Sequence, residues 1–339
     1  MSNLREPRQA YKPFEYPAFN KYVQGIRNTY WVHDELDFTR DIKEFKNDLT
    51  DTERYIIGTI LKTFAQTEVH VADEFWSRLY EYMPKPEVFR LSLTFSENEM
   101  RHADAYDKLN EELDLQDYAA FLEDEVAKER LDNLMSIRKD HKGQPSVRDI
   151  CRTLAVFGGF TENVNLFSQF AILKSFSANG RNLMPNIANI IDWSQQDEKT
   201  HALAALELFN ILKEENPDIW DDEFKAEIYG AANITFKIEQ HLIDQIFAQG
   251  ELPNMSKAAL LNFMKGRINQ SLSLMGLKPI YNVDEKLTKE MSWFDDASRV
   301  LQHTDFFNAK PTEYTKNLVA YNSDTVKISI EELTNLINK

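Results

Sequence analysis

Residues 95–106 read FSENEMRHADAY, and residues 193–202 read WSQQDEKTHA. Each stretch contains a glutamate three residues before a histidine: Glu99 with His102, and Glu198 with His201. Residues three apart lie on one face of an α-helix, so each pair presents a carboxylate beside an imidazole. One such pair is weak evidence for a site, because a solvated polar pair on a helix surface has the same spacing.

A predicted helix before the first pair carries a further glutamate, Glu68. It lies 14 residues before Tyr82, where this helix should end, and Glu99 lies 13 residues after Pro86, where the next helix should begin. At 1.5 Å per residue, both carboxylates are about 20 Å from the intervening turn. The two helices should therefore form a hairpin in which Glu68 and Glu99 meet.

The second pair has a similar neighbour in Glu162. This residue lies 16 residues before Ala178, at the end of its predicted helix, and Glu198 lies 13 residues after Pro185. At 1.5 Å per residue, Glu162 and Glu198 lie about 24 and 20 Å from the intervening turn, so a second hairpin should bring these two carboxylates together as well. The spacing between Glu162 and Glu198 is about two residues longer than we expect, and a loop around 179–183 should hold the extra residues.

Four glutamates and two histidines inside a helical bundle would be strongly destabilising without counterions. Two divalent cations would neutralise the four carboxylates. One glutamate from each of two helices and Glu-x-x-His from each of two others is the ligand set of ferritin-like dimetal bundles. Carboxylate and imidazole ligands suit iron or manganese. We therefore predict an all-α, ferritin-like helical bundle with a dimetal-carboxylate site formed by Glu68, Glu99, His102, Glu162, Glu198 and His201.

The composition agrees with long helices and limits the function. Gly and Pro are scarce, at 10 and 11 of 339 residues, which disfavours turn-rich β architecture. A formal charge of −16 opposes a phosphate backbone, so nucleic-acid binding is not expected. Cys151 is the only cysteine, which excludes an internal disulfide or a cysteine-based metal site. The sequence shows no apolar segment typical of a signal peptide or membrane span, so we expect a cytoplasmic protein without membrane contact.

No repeat or linker divides the chain, and one helical domain at 1–310 is the simplest interpretation. Within it, residues 1–45 carry prolines and aromatics and are predicted to be irregular. Residues 311–339 are polar and weakly periodic, so we expect a tail that is mobile when alone. Helices are predicted over 50–82, 86–113, 147–178, 185–213, 218–249 and 255–275.

Tyr106 follows His102 by four residues and Glu99 by seven, which places it on the ligand-bearing face about one turn from the predicted metals. An ordinary core tyrosine with a satisfied hydroxyl would also fit, and the chain has 13 tyrosines. The position beside the predicted ligands favours a functional role.

Together these residues resemble a known family. FSENEMRHADAY, Glu68, Glu162 and DEKTH at 197–201 are similar to the metal-ligand motifs of the class I ribonucleotide reductase small subunit, and the resemblance runs from about Trp31 to the C-terminus. It implies an oxidoreductase subunit, usually a homodimer, that is active only with a large subunit. The metal pair would activate dioxygen, and Tyr106 would become a stable radical. Ribonucleotides would be reduced to deoxyribonucleotides on the large subunit, in agreement with the lack of a Gly-rich phosphate loop in this sequence.

The resemblance also implies a route for the radical. His102, Asp197 and Trp31 would form a hydrogen-bonded path away from the metals, with Asp197 as an acceptor for a ligand histidine. The tail would dock on the large subunit and bear a relay tyrosine, which we assign to Tyr321 rather than Tyr314 from its distance to the terminus. The alternatives are a plain aromatic anchor for Trp31 and a dispensable solvated tail.

The identity of the metals stays open in the sequence. Many family members carry aspartate where this chain has Glu68, and the family includes di-iron, manganese–iron and dimanganese centres. Two irons are our first expectation. The need for an activating flavoprotein and the use of diphosphate or triphosphate substrates by the partner also stay open. The competing interpretations are a ferritin-like dimetal oxidase or monooxygenase that acts on its own small-molecule substrate, and an iron-storage protein.

Overall fold

Helices account for the regular structure of the described residues. A computed structural model describes residues 3–115, 117–139, 145–252 and 255–294, and of residues 118–120 and 137–139 it describes the backbone alone. These residues belong to one compact unit, Met1–Phe294. Within the described ranges no strand occurs, apart from an isolated bridge between Leu252 and Met255. The predicted all-α fold is therefore confirmed.

The described part of the chain contains the following α-helices: α1 Phe19–Asn28, α2 Thr39–Asn47, α3 Asp51–His70, α4 Leu79–Tyr82, α5 Pro86–Glu112, α6 Tyr118–Glu123, α7 Glu125–Lys139, α8 Val147–Leu154, α9 Leu166–Lys174, α10 Pro185–Glu215, α11 Asp222–Phe247, α12 Lys257–Leu274 and α13 Glu285–Glu290. A π-helical segment, Ala155–Asn165, joins α8 to α9. None of the helices in these ranges is long and apolar enough to cross a membrane.

α3 and α5 form the first predicted hairpin. Thr50 starts α3 through a capping box with Glu53, and Pro86 occupies the first turn of α5. The prediction of a continuous helix to Tyr82 was wrong, because Val71–Phe75 is π-helical and Trp76–Arg78 is a 3-10 turn. A π turn rises less per residue than an α-helix and a 3-10 turn rises more, so the two deviations offset each other in height.

The second hairpin pairs the π-helical segment and α9 with α10. The predicted helix 147–178 is therefore interrupted, since Ala155–Asn165 is π-helical. Gly158 allows close contact with α10, because a Cβ at this position would lie 2.1 Å from the Cβ of Ala205. The turn before α10 contains Asn179 and Asn182 with positive φ, so a loop does lie where the surplus residues were expected.

The N-terminal region is more regular than predicted. Residues 1–45 were expected to be irregular, and this was wrong for α1 and for most of α2. α1 buries Phe19, Tyr22, Val23 and Ile26, a helical spacing that was missed because prolines and exposed aromatics surround it. α1 packs on α5 and α10 and leads directly to Trp31. α7 also lies in a stretch where no helix was predicted.

Candidate metal centre

Six buried side chains meet where the two hairpins contact each other. Candidate ligand atoms of Glu68, Glu99, His102 and Glu198 lie within 4.8 Å of one another, and so do those of Glu99, Glu162, Glu198 and His201. All six residues have 0% exposure. Glu99 and Glu198 belong to both groups, as carboxylates shared by two ions would. The structure thus brings together every residue of the predicted ligand set.

Both histidines turn Nδ1 toward the shared carboxylates. Nδ1 of His102 lies 2.8 Å from Glu198 Oε1 and 3.3 Å from Glu99 Oε2. Nδ1 of His201 lies 2.8 Å from Glu99 Oε1 and 3.4 Å from Glu198 Oε2. Nδ1 is therefore the candidate ligand atom of each histidine.

The inner atoms of the cluster make no contact with regular hydrogen-bond geometry among the described residues, although each histidine Nδ1 lies 2.8 Å from a shared carboxylate. They are both carboxylate oxygens of Glu68 and Glu198, Oε2 of Glu99 and Glu162, and Nδ1 of both histidines. Buried polar atoms are normally paired, and unpaired ones are strongly destabilising. Carboxylate oxygens and imidazole nitrogens left unpaired at one point are the donor set that a pair of iron or manganese ions requires. The residues present therefore fit a dimetal centre.

Burial and mutual charge shift the titration of these residues. Burial, and then the charges of Glu198 and Glu99, raise the pKa of Glu68 well above its usual value. Burial opposes a charge on His102, but its contacts with Asp197 and then Glu198 raise its pKa well above the usual value. The cluster therefore concentrates negative charge that cations must compensate, whether these are protons or metal ions.

Each histidine has an outer acceptor supplied by the opposite motif. His102 Nε2 lies 3.3 Å from Asp197 Oδ2, and His201 Nε2 lies 2.9 Å from Asn98 Oδ1. Asp197 immediately precedes Glu198, and Asn98 immediately precedes Glu99. The residue before each predicted ligand glutamate therefore contacts the histidine of the other helix. Outer acceptors of this kind hold the proton on Nε2 and leave Nδ1 free to bind a metal.

Sequence reasoning missed two residues of the site. Asn98 also donates from Nδ2 to Asp197 Oδ2 at 3.0 Å, which links the two outer acceptors. Trp76 donates from Nε1 to Glu162 Oε1 at 2.7 Å and to Glu99 Oε1 at 3.0 Å. The position of Asn98 matches that of Asp197 and was a usable signal. No periodicity pointed to Trp76, because the π-helical turn separates it from α3.

Tyr106 lies beside the cluster and is fully buried. Its ring stacks on Phe64 with centroids 4.7 Å apart, and its centroid is 6.5 Å from that of His102. The hydroxyl makes no hydrogen bond of regular geometry within the described ranges, although an interaction with Ser194 acts to lower its pKa. Burial, and then the charge of Glu68, raise the pKa of Tyr106 well above its usual value, so the phenol stays protonated.

Trp31 adjoins the outer side of His102. The two rings stack with centroids 5.6 Å apart and an interplanar angle of 14°. Trp31 Nε1 donates to Asp197 Oδ2 at 2.8 Å, and Arg101 Nη1 donates to the Trp31 carbonyl at 3.0 Å. Trp31, Asp197 and His102 are therefore contiguous in space, in the order expected for the predicted path.

The C-terminal predictions lie outside the described residues. They concern Tyr321, its alternative Tyr314 and the tail at 311–339. Cys151 is described and is a buried free cysteine. Burial raises the pKa of its thiol to about 12, so it stays neutral and is not a metal ligand or nucleophile in this environment.

Known proteins share both the sequence pattern and the fold. The family model described as ribonucleotide reductase, small chain, matches residues 8–289. A probable ribonucleoside-diphosphate reductase small subunit of Invertebrate iridescent virus 3 is 29% identical over 328 residues, which cover 92% of this chain and 86% of the relative. The resemblance inferred from the motifs is therefore confirmed.

Two solved structures illustrate the likeness in fold. A putative class I ribonucleotide reductase from Bacillus halodurans superposes with a TM-score of 0.75 at 19% identity, covering 83% of this chain and 99% of that one. An R2-like ligand-binding oxidase with a Mn/Fe cofactor superposes with a TM-score of 0.65 at 17% identity, covering 78% and 95%. These identities show the fold alone. The family model, however, spans most of the sequence, and the chain belongs to the ribonucleotide reductase small-chain family of oxidoreductase subunits.

Proposed function

We propose that the chain is the small subunit of class I ribonucleoside-diphosphate reductase, which forms a tyrosyl radical on Tyr106 and passes it to a large subunit. The supporting observation is a buried cluster of six candidate metal ligands with Tyr106 beside it. The radical-transfer path, defined as Trp31, Asp197 and His102, leads away from this cluster. A pocket for a nucleotide is not needed on this chain, because the substrate binds to the partner.

The six residues divide naturally between two ions. Glu68 and His102 would hold one metal, Glu162 and His201 the other, and Glu99 and Glu198 would bind both. Bound iron or manganese would supply the reduction of dioxygen and the oxidant that removes one electron from Tyr106. Two irons remain our first expectation, with manganese–iron and dimanganese pairs as alternatives, because carboxylate and imidazole donors accept each of them.

Tyr106 must lose a proton together with its electron, because oxidation makes a neutral phenol strongly acidic. Among the carboxylates of the cluster, Glu68 exerts the largest charge effect on the Tyr106 hydroxyl. Phe64 covers one face of the phenol ring, and the side chain has no exposure to solvent. Such burial excludes water and reductants, which lets a radical on Tyr106 persist.

The radical-transfer path moves an electron and a proton over short distances. Trp31 would give one electron to the Tyr106 radical, which would take back the proton that it had released. The proton on Trp31 Nε1 would pass to Asp197 Oδ2, which is 2.8 Å away. His102 connects Asp197 to the cluster through its Nε2. The oxidised Trp31 is then the donor of the radical equivalent to the partner, where a cysteine of the large subunit would receive it.

The remaining assignments concern partners. The tail at 311–339 would dock on the large subunit, and Tyr321 would carry the radical across that contact. We also propose a homodimer and a cytoplasmic location. Metal loading in vitro would show whether the protein needs an activating flavoprotein.

The oxidase alternative shares the fold and the metal ligands but not the need for a path to a partner. A dimetal oxidase would turn over its own substrate and would have no use for an ordered path through Asp197 to Trp31. An iron-storage protein would need neither Tyr106 nor Trp31. The contiguity of Trp31, Asp197 and His102 therefore favours the reductase subunit.

Electron paramagnetic resonance tests the proposal. The metal-free protein is loaded with ferrous iron, or with manganese plus iron, and exposed to oxygen. We expect a tyrosyl signal that disappears in Tyr106→Phe. Tyr22→Phe is the matched control, because Tyr22 is also largely buried but bonds to Glu207 and lies outside the cluster. Metal uptake without any signal dependent on Tyr106 would contradict the radical and would favour the oxidase.

A further inference from the structure

A cavity separate from the metal cluster lies between α3, α7 and α11. Its volume is about 190 Å³. The lining includes Tyr55, Thr59 and Lys62 from α3, Ala127 and Arg130 from α7, and Leu242 from α11. Residues three or four positions apart share a helix face, so α3 and α7 each turn one face toward the cavity. The described lining contains no predicted metal ligand and no residue of the radical-transfer path.

Two basic side chains line the cavity, and only one of them is neutralised. Arg130 is 6% exposed, and its Nη1 donates to Glu239, which is fully buried. Glu239 also accepts from Ser168 at 2.6 Å and from Gln169 at 2.9 Å, so the guanidinium is fixed in place. The Arg130 Nε has no partner among the described residues. Lys62, by contrast, makes no ion pair or hydrogen bond with any described residue.

The acidic residue in the wall does not compensate Lys62. Asp124 Oδ1 accepts the backbone N–H groups of Val126 and Ala127 at 3.0 and 2.9 Å, at the start of α7. Its Oδ2 accepts from Gln245 Nε2 at 2.8 Å. The helix start and the amide therefore stabilise the carboxylate of Asp124. The charge of Lys62 thus lies beside a cavity whose other charged groups already have partners.

We propose that this cavity binds a small monocarboxylic acid with an apolar body. Lys62 and the N–H groups of Arg130 that Glu239 leaves free hold the carboxylate. The body lies against Phe121 and Leu242. One uncompensated positive charge matches a carboxylate, whereas a phosphate group carries nearly two negative charges.

The size of the cavity limits the ligand. Sites for drug-sized molecules measure about 300–1,000 Å³, so a cavity of about 190 Å³ suits a molecule of about ten non-hydrogen atoms. Lys62 lies six residues before Glu68, a rise of about 9 Å along α3. The inference does not rest on the proposed function, because the cavity shares no residue with the cluster or the path.

Calorimetric titration of the full-length, metal-loaded protein with benzoate tests the site. Benzoate combines one carboxylate with a small apolar ring, and we expect a dissociation constant below about 1 mM. Benzamide has the same shape without the charge and should bind at least about tenfold more weakly. Phenyl phosphate should also bind more weakly than benzoate. The titration is repeated on the metal-free protein, because carboxylates also bind to metal ions, and the same affinity is expected.

Variants of the lining separate charge from space. We expect Lys62→Met to weaken benzoate binding by about tenfold or more, and Lys62→Arg to retain it. Lys237→Met is the matched control, because Lys237 is an exposed residue of α11 outside the lining. Ala127→Leu fills the cavity without changing any charge and should also weaken binding by about tenfold or more. Both alanine and leucine favour helices, and urea unfolding identifies a misfolded variant.

The outcomes either support or overturn the site. Absence of benzoate binding, equal affinity for benzoate and benzamide, or parent-like affinity in Lys62→Met would overturn it. Binding that requires metal would place benzoate on the cluster instead and would also overturn it. Tighter binding of phenyl phosphate would overturn the choice of a carboxylate. A protein that forms no tyrosyl radical but binds benzoate as expected would contradict the proposed function and leave this inference standing.

Discussion

The two halves of the metal centre have matching ligands but different surroundings. Each half has one glutamate from a separate helix, Glu68 or Glu162, and one Glu-x-x-His pair. The histidine of each pair contacts the residue that precedes the glutamate of the other pair. That residue is Asn98 for His201 and Asp197 for His102. A carboxylate can take up a proton and an amide side chain cannot, so only the Asp197 side can pass a proton together with an electron. The repeated motif forms the cluster. In our proposal, the difference between Asp197 and Asn98 determines on which side of the cluster the radical is transferred.

The helices that carry the lone glutamates differ as well. Glu68 lies near the end of the α-helix α3, whereas Glu162 lies within the π-helical segment. Single π turns are common at functional sites, where they change the direction of a side chain. The Glu162 half is therefore the one whose geometry depends on packing from neighbouring helices.

Removal of a shared ligand should have the largest effect. We expect Glu198→Ala to reduce bound metal from about two ions per chain to well under one, because both ions lose a donor. Glu68→Ala is the matched control and should retain about one ion per chain, since Glu68 belongs to one group only. Elemental analysis after loading and desalting measures both. Equal metal loss in the two variants would contradict the division of ligands.

Exchange of the outer acceptors should separate their roles. Asp197→Asn removes the proton acceptor of Trp31, and we expect it to keep the tyrosyl signal but lower turnover with the large subunit by about 100-fold or more. Asn98→Ser instead disturbs His201, and we expect metal binding to weaken by about 10- to 100-fold. The comparison uses turnover assays and metal titrations on both variants. Parent-like turnover in Asp197→Asn, or parent-like metal affinity in Asn98→Ser, would contradict these roles.

The π-helical segment should be sensitive to added volume at one glycine. Gly158→Ala places a Cβ 2.1 Å from the Cβ of Ala205, and we expect a loss of about 1–3 kcal/mol in the free energy of unfolding. Gly159→Ala is the neighbouring control, because its nearest atom would be Leu206 Cδ2 at 3.4 Å. Urea unfolding of the metal-free protein gives both values. Adding Ala205→Gly to Gly158→Ala should restore most of the loss, and a double variant no better than the single one would refute the steric explanation.

The smallest effect concerns the helix starts of the two halves. Thr50 and Ser146 form equivalent capping boxes at α3 and α8. We expect Thr50→Ala and Ser146→Ala each to lower the free energy of unfolding by about 1 kcal/mol. Urea unfolding again provides the measurement. A much larger loss from one variant would show that the two hairpins do not depend on their caps to the same degree.

Spacing along the helices predicted the ligand cluster from sequence. The rise of an α-helix is constant, so the distance of each glutamate from its turn showed which carboxylates meet. The interruption of its helix changes the distance of Glu68 from the hairpin turn little. A π turn has a smaller rise per residue than an α-helix and a 3-10 turn a larger one, so the two effects offset each other. Glu162 lies in the cluster although it belongs to a π-helical segment.

Contacts that depend on several elements could not be predicted in this way. Trp76 donates to Glu162 and Glu99 from the junction between a π turn and a 3-10 turn, a position that a regular helical spacing does not predict. The bond from Asn98 to Asp197 crosses between α5 and α10, so it depends on how those helices pack. The contact between the tilted rings of Trp193 and Trp31 likewise depends on how α1, which precedes Trp31, packs on α10.

Anomalous diffraction from crystals of the iron-loaded protein, recorded at the iron absorption edge, would show whether two metals bind at the cluster. We predict two peaks, one bonded to His102 Nδ1 and Glu68, the other to His201 Nδ1 and Glu162. Both peaks should contact Glu99 and Glu198. A single peak in fully loaded crystals, or peaks away from these six residues, would contradict the dimetal centre and the radical chemistry built on it.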